Sequence, residues 1–189
     1  MVIKVSIQGK TPLLMNRFTE ANEVKVSSGT SAVSLGHKGT PREQATPKAY
    51  MDNEGNLYIP GPNIFACLIA AGTFHKMGKA KITTQKSSLI PAGISLEEII
   101  CPLETKDFEV DSRSVVIPST GGRIMCHRPR LDNWGCQFTL SVDQSMFHPD
   151  FVRVLLDDAG SKIGLGDFRP ARKGPFGRFS VTEWKIEKE

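Results

Sequence analysis

Between Gly164 and Phe179 the chain reads Gly-Leu-Gly-Asp-Phe-Arg-Pro-Ala-Arg-Lys-Gly-Pro-Phe-Gly-Arg-Phe. Gly164 and Gly166 on one side, and Gly174 and Gly177 on the other, bracket a basic spacer. Glycine admits positive φ and lets a backbone approach a neighbour or ligand closely. Successive N–H groups in such turns can form an anion-binding concavity. Arg169, Arg172, Lys173 and Arg178 set four cations against one carboxylate, Asp167. That balance suits the phosphate backbone of a nucleic acid better than a small metabolite. The plain alternative is a helix-to-strand connection with solvated cations.

A second basic group comprises Arg113, Arg123, His127, Arg128 and Arg130. Arg128 and Arg130, two residues apart, share one face of a strand, whereas Arg123 and Arg128, at an odd separation, do not. Pro129 between them marks a strand end or edge, and cations on an edge can also serve only to block aggregation. Arg17, between Asn16 and Phe18, is of the type that clamps a phosphate or stacks on a base. Lys76 and Lys79 can follow a phosphate backbone electrostatically or simply be solvated.

Catalysis has weaker support. Of His37, His75, His127 and His148, His127 beside Arg128 has the best surroundings for a general acid or base, or equally for a phosphate donor. Glu20, Glu23, Glu43, Asp52 and Glu54 form no cluster that demands a metal, and turn chemistry accounts for Asp52. The chain has no phosphate-binding P-loop, no nucleophile elbow and no paired-histidine zinc motif. The expectation is no catalytic residue, no metal and no cofactor.

A length of 189 residues allows one sizeable core, and a formal charge of +4 is only mildly basic, so clustering matters more than the total. Cys67, Cys101, Cys126 and Cys136 lack zinc-site spacing and read as reduced, buried small residues. Val2 to Ile7 is too short and polar for a signal peptide, and no run has the apolar length of a membrane span. A cytoplasmic protein with no membrane partner is the simplest expectation.

The elements that must position these groups follow from periodicity. Val2 to Ile7 alternates as a strand. Residues 19 to 48, rich in Ser, Gly, Thr and Pro, read as a flexible insertion. Ala49 to Pro60 reads as a hairpin. Pro62 opens a helix to Phe74 with Ile64, Phe65, Leu68 and Ile69 on one face. A second insertion spans about 77 to 122, with short strands at Ile99 to Leu103 and Ser114 to Ile117. Arg123 to Arg128 and Trp134 to Val142 read as the arms of one hairpin. Pro149 opens a helix with Phe151, Val154, Leu155 and Ala159 inward, and Arg178 to Ile186 forms the last strand. The order β-α-β-β-α-β predicts a single α+β domain over 1–189, ferredoxin-like (RRM-like), with an antiparallel sheet and two helices.

The glycine clusters, the basic spacer and the final strand beginning Arg178-Phe179-Ser180-Val181 resemble the C-terminal glycine-rich loop of the RAMP superfamily of CRISPR-associated RNA-binding proteins. Here the second cluster, Gly174-Pro175-Phe176-Gly177, is one residue longer than the usual form. Thr11 to Phe18 after the first strand, followed by an insertion, also resembles the small backbone-type members. The resemblance implies non-catalytic binding of single-stranded RNA, with single-stranded DNA as a second candidate. It also implies self-assembly along the strand as a homo-oligomer or filament, and partners among effector-complex subunits. It implies contact through the glycine loop, beside the basic group of Arg113, Arg123, His127, Arg128 and Arg130 already read from the residues. Two alternatives stand beside it: a metal-independent endoribonuclease, and a module that binds protein only.

Overall fold

The computed structural model describes residues 1–18, 39–103, 105–116 and 121–187. In chain order the strands and helices are β1 (Val2–Gly9), β2 (Leu13–Leu14), α1 (Pro41–Ala45), β3 (Tyr58–Pro60), α2 (Gly61–Ala71), β4 (Lys76–Met77) and β5 (Ala80–Lys81). Then come α3 (Ile90–Gly93), β6 (Ile94–Leu96), β7 (Ile100–Pro102), β8 (Glu109–Val116), β9 (Arg123–Leu131), β10 (Gly135–Val142), α4 (Pro149–Asp158) and β11 (Phe179–Glu187). It is a mixed α/β fold with antiparallel sheets.

The main sheet runs β11-β1-β10-β6. Strand β1 lies inside it, pairing on one edge with β10 (Val5 opposite Phe138) and on the other with β11 (Val5 opposite Trp184), with a bulge between Ser6 and Ile7. Alternation in β1 sends Ile3, Val5 and Ile7 to the side covered by α2 and α4, where all three are buried. Each such side chain contributes about 1.5–3 kcal/mol of burial. The opposite face carries Lys4, Ser6, Glu183, Lys185 and Glu187, tied by an ion pair from Lys4 to Glu187 at 2.5 Å and a Ser6-to-Glu183 hydrogen bond at 3.0 Å. It is polar and of mixed charge, not a platform for stacking bases.

A second sheet, β2-β9-β8, stands apart from the first. This corrects one expectation: Arg123 to Arg128 is not the partner of Trp134 to Val142. Strand β9 pairs with β8 over its length and with β2 at its end, while β10 joins the main sheet. The main sheet's fourth strand is instead the short β6, opposite Leu140 to Val142, inside the span expected to be insertion. β6 is only three residues long, and its pattern carries little alternation to betray it.

Other differences are local. Residues 19–38 of the expected flexible insertion lie outside the described residues. The remainder is helical, because Thr40 caps α1 in a reciprocal capping box with Glu43. Lys76 to Lys81 form a small hairpin turning at Gly78, not an open connector. In α2 the buried positions are Ile64, Cys67, Leu68 and Ala71, with Phe65 and Ile69 only half-buried. In α4 they are Val152, Leu155 and Leu156, while Val154 is 51% exposed.

Candidate nucleic-acid interface

The glycine-rich segment follows α4 through the π-turn Ala159–Ile163. It is pinned to the chain just after β1. The N–H of Asp167 donates to Leu14 O at 2.7 Å, and that of Gly177 to Pro12 O at 2.8 Å. Leu165 N–H donates to Gly177 O at 2.9 Å, drawing the two glycine clusters together. Gly177 has φ +72°, and a Cβ there would lie 1.8 Å from Leu165 O. Gly166 has φ +74°, with Leu14 O 2.4 Å from its would-be Cβ. These glycines are required by close backbone packing. The N–H groups of Leu165, Asp167, Phe168, Gly174, Phe176, Gly177 and Arg178 are all engaged within the fold. What the loop has free to offer an anion is therefore side chains rather than a backbone concavity.

Those side chains face the β8–β9 pair. The register puts Glu109, Asp111 and Arg113 on one face with Arg130, Arg128 and Cys126, and puts Ser112 and Val116 on the other with His127 and Arg123. Between the first face and the loop is a groove of about 530 Å³, lined by Arg113, Ser114, Val115, Arg128, Asp167, Phe168, Arg169 and Arg172. Four guanidiniums meet there. Arg128 Nε lies 2.8 Å from Asp167 Oδ2, which also accepts from Asn16 Nδ2 at 3.1 Å. Arg113 Nε donates to both oxygens of buried Asp111, at 2.8 and 2.9 Å, and its guanidinium lies over the Phe176 ring. Arg169 donates to Gly166 O at 2.8 Å. Arg172 is exposed, with no side-chain partner among the described residues.

Phe168 completes the groove. It adopts φ +48°, a conformation uncommon for a residue with a Cβ, and the residue is 37% exposed. The Asp167 carboxylate accepts its N–H at 2.9 Å, and its carbonyl accepts from Phe176 N–H. Strain held by surrounding contacts is a mark of sites under functional constraint. A groove with fixed guanidiniums and an aromatic ring can hold phosphates and stack a base.

The structure thus brings together Arg113, Arg128, Arg169 and Arg172 on a backbone shaped by Gly164, Gly166, Gly174 and Gly177. It does not bring the other expected residues into the groove. Arg130 pairs with Asp132 at 2.8 Å. Arg178 turns its guanidinium to Ser161 O. Lys173 is exposed at φ +61° after the short helical turn Pro170–Arg172. Arg123 lies at the far end of β9, Arg17 is exposed after β2, and Lys76 and Lys79 belong to the β4–β5 hairpin.

His127 bonds Ser112 Oγ through Nδ1 at 2.7 Å, on the face away from the groove. His75 lies 3.1 Å from Asp158, and His148 caps α4 by accepting from Asp150 N–H. His37, Glu20 and Glu23 lie outside the described residues. Asp52 accepts from Glu54 N–H, Asn56 N–H and Asn56 Nδ2. The Asn56 side chain and then its backbone N–H hold the Asp52 carboxyl below its ordinary value. Sequence reasoning missed Phe168, Asp167 and Asn16 as parts of the site. An aromatic set between a glycine-flanked aspartate and an arginine-proline pair was the available signal.

No family model matches this chain, and no curated protein matches it. Solved structures do. A chain in the cryo-EM structure of the type III-B Cmr-beta complex bound to cognate target RNA matches with a TM-score of 0.54 and 12% identity. The match covers 97% of this chain, which spans 59% of the length of that one. A chain of a type IV-B CRISPR complex matches with a TM-score of 0.50 and 12% identity, over 100% of this chain and 93% of that one. The fold is therefore similar to that of chains in two kinds of CRISPR complex. No helix among the described residues is long and apolar enough to cross a membrane.

Proposed function

We propose that this chain is a RAMP-type subunit that binds single-stranded nucleic acid, RNA by preference, in an assembly of the CRISPR kind. The carrying observation is the groove where Arg113, Arg128, Arg169 and Arg172 converge beside the exposed ring of Phe168. Phosphates lie against the guanidiniums, and an unstacked base packs on Phe168. The core is read as ferredoxin-like: β1, α2, β6, β10, α4 and β11 follow a β-α-β-β-α-β order, in a sheet running fourth-first-third-second. The likeness to chains of RNA-bound and other CRISPR complexes favours RNA and effector subunits as partners, with copies of this chain assembling along the strand. Arg17, Lys76, Lys79, Arg123, His127, Arg130, Lys173 and Arg178 lie outside the groove and serve as secondary contacts for the strand in this reading.

The test is fluorescence anisotropy with labelled single-stranded RNA, single-stranded DNA and duplex DNA at several salt concentrations. Salt-sensitive binding to single strands, stronger for RNA, is expected. Absence of binding at low salt would overturn the reading and favour a module that binds protein only.

A further inference from the structure

On the other side of Asp167 and Arg169 from the arginine groove lies a second concavity, of about 300 Å³, between α2 and the glycine loop. The two share those two residues and nothing else, so one ridge of side chains separates them. This volume is at the lower end of the range for small-molecule sites, enough for a flat heterocycle rather than a chain of residues.

Its walls are mixed in a specific way. Leu13, Ile59 and Ala66 supply apolar surface, and Tyr50 and Tyr58 present rings 5.9 Å apart and tilted by 57°. The two hydroxyls and the Asn63 carboxamide, at the start of α2, have no hydrogen-bond partner among the described residues. A carboxamide donates and accepts at once, which matches the edge of a nucleobase better than it matches an ion. The thiol at the wall is unsuited to chemistry: Cys67 donates to Ala159 O and Gly164 O, both at 3.4 Å, and burial pushes it up to about 12. The pocket is equipped to hold a ligand, not to attack one.

We propose that this tyrosine-lined pocket receives one splayed-out nucleobase of the strand whose phosphates lie in the adjoining arginine groove. The inference rests on the reading of the groove given above. Rings and apolar walls take the faces of the base, and Asn63 reads its edge, giving the strand a fixed register on the protein. Splayed bases stacked on aromatic side chains and hydrogen-bonded at their edges are the general mode of single-strand RNA recognition.

Two measurements test it on the whole chain. In NMR titrations, the four nucleoside monophosphates should shift the Asn63 side-chain amide and the Tyr50 and Tyr58 ring signals, while ribose 5-phosphate should shift arginine signals only. In anisotropy, Tyr58→Leu should weaken binding to single-stranded RNA about 5- to 150-fold, the usual worth of one base on an aromatic. Its salt slope should stay unchanged, and the effect should vanish on an oligonucleotide of abasic sites. Asn63→Ala, at an exposed position, should weaken binding in the same direction even where Tyr58→Leu fails to fold. Strand binding of normal strength in both variants, or monophosphates that act like ribose 5-phosphate, would overturn the pocket and leave the groove standing. Failure of any strand to bind the wild type would overturn the groove and the pocket with it.

Discussion

Replacing Arg169 and Arg172 together by glutamine isolates the electrostatic part of the groove. Among the described residues Arg172 is exposed without a partner, and Arg169 gives up one bond, to Gly166 O. Neither holds a carboxylate, so no buried charge is stranded. Each phosphate neutralised on a single strand adds about −0.7 to the slope of log K against log salt. Four guanidiniums fully engaged give a slope of about −2.8, and two give about −1.4. Raising salt from about 50 to 200 mM should then weaken the wild type about 50-fold and the double variant only about 7-fold. The assay is anisotropy with a labelled single-stranded RNA across that range. A thermal melt of the variant, expected to show a loss of about 1 kcal/mol for the lost bond, confirms that it is folded. An unchanged slope in a folded variant would refute the argument, because it would place the phosphates elsewhere.

Other residues give separate outcomes. Arg113→Ala leaves the buried Asp111 carboxylate without the Nε–H shared by its two oxygens and should cost about 1–3 kcal/mol in a urea titration. Asp111→Asn/Arg113→Ala should recover part of that. Gly177→Ala forces a side chain into positive φ against Leu165 O and should destabilise by at least about 1–3 kcal/mol, more than Gly78→Ala, which shares a positive φ but whose Cβ would meet open space. Because the folded Asp52 carboxyl is held low, its stabilising effect is complete above an unfolded aspartate's pKa of about 3.9 and fades as pH falls through the lower folded value. Melts of Asp52→Ala and wild type should therefore differ at neutral pH and converge in acid. A constant difference would remove the hydrogen-bonded carboxylate as its cause.

Much of the fold is visible in local pattern, and the reason is burial. Strand β1 alternates because one face is covered, and α2 and α4 open on prolines that suit a first helical turn. What local pattern cannot carry is the choice of partner. Strands β9 and β10 are consecutive and separated by a short turn, the arrangement of a hairpin, yet they belong to different sheets. The same holds for the site. Gly166 and Gly177 were conspicuous as residue types, but their use against Leu14 O and Leu165 O depends on neighbours remote in sequence. Arg113 and Arg128 could be marked as basic, whereas their gathering with Arg169 and Arg172 depends on the β8–β9 register and the path of the loop. Phe168 combines an exposed setting with a positive φ, which no local propensity anticipates.

Strand β1 is held between β10 and β11, and the Ser6-to-Glu183 bond joins residues 177 positions apart. Strand β1 must therefore wait first for β10 and then for β11, both remote from it in sequence. Contacts this distant in sequence slow folding, because loop-closure entropy must be met before they form. The groove inherits that timing, since its loop is anchored to Pro12 and Leu14. Until that loop docks, Arg113 and Arg128 are present without Arg169 and Arg172 held opposite them. The arginine groove is therefore a late product of folding, formed only when the glycine loop docks on the chain that follows β1.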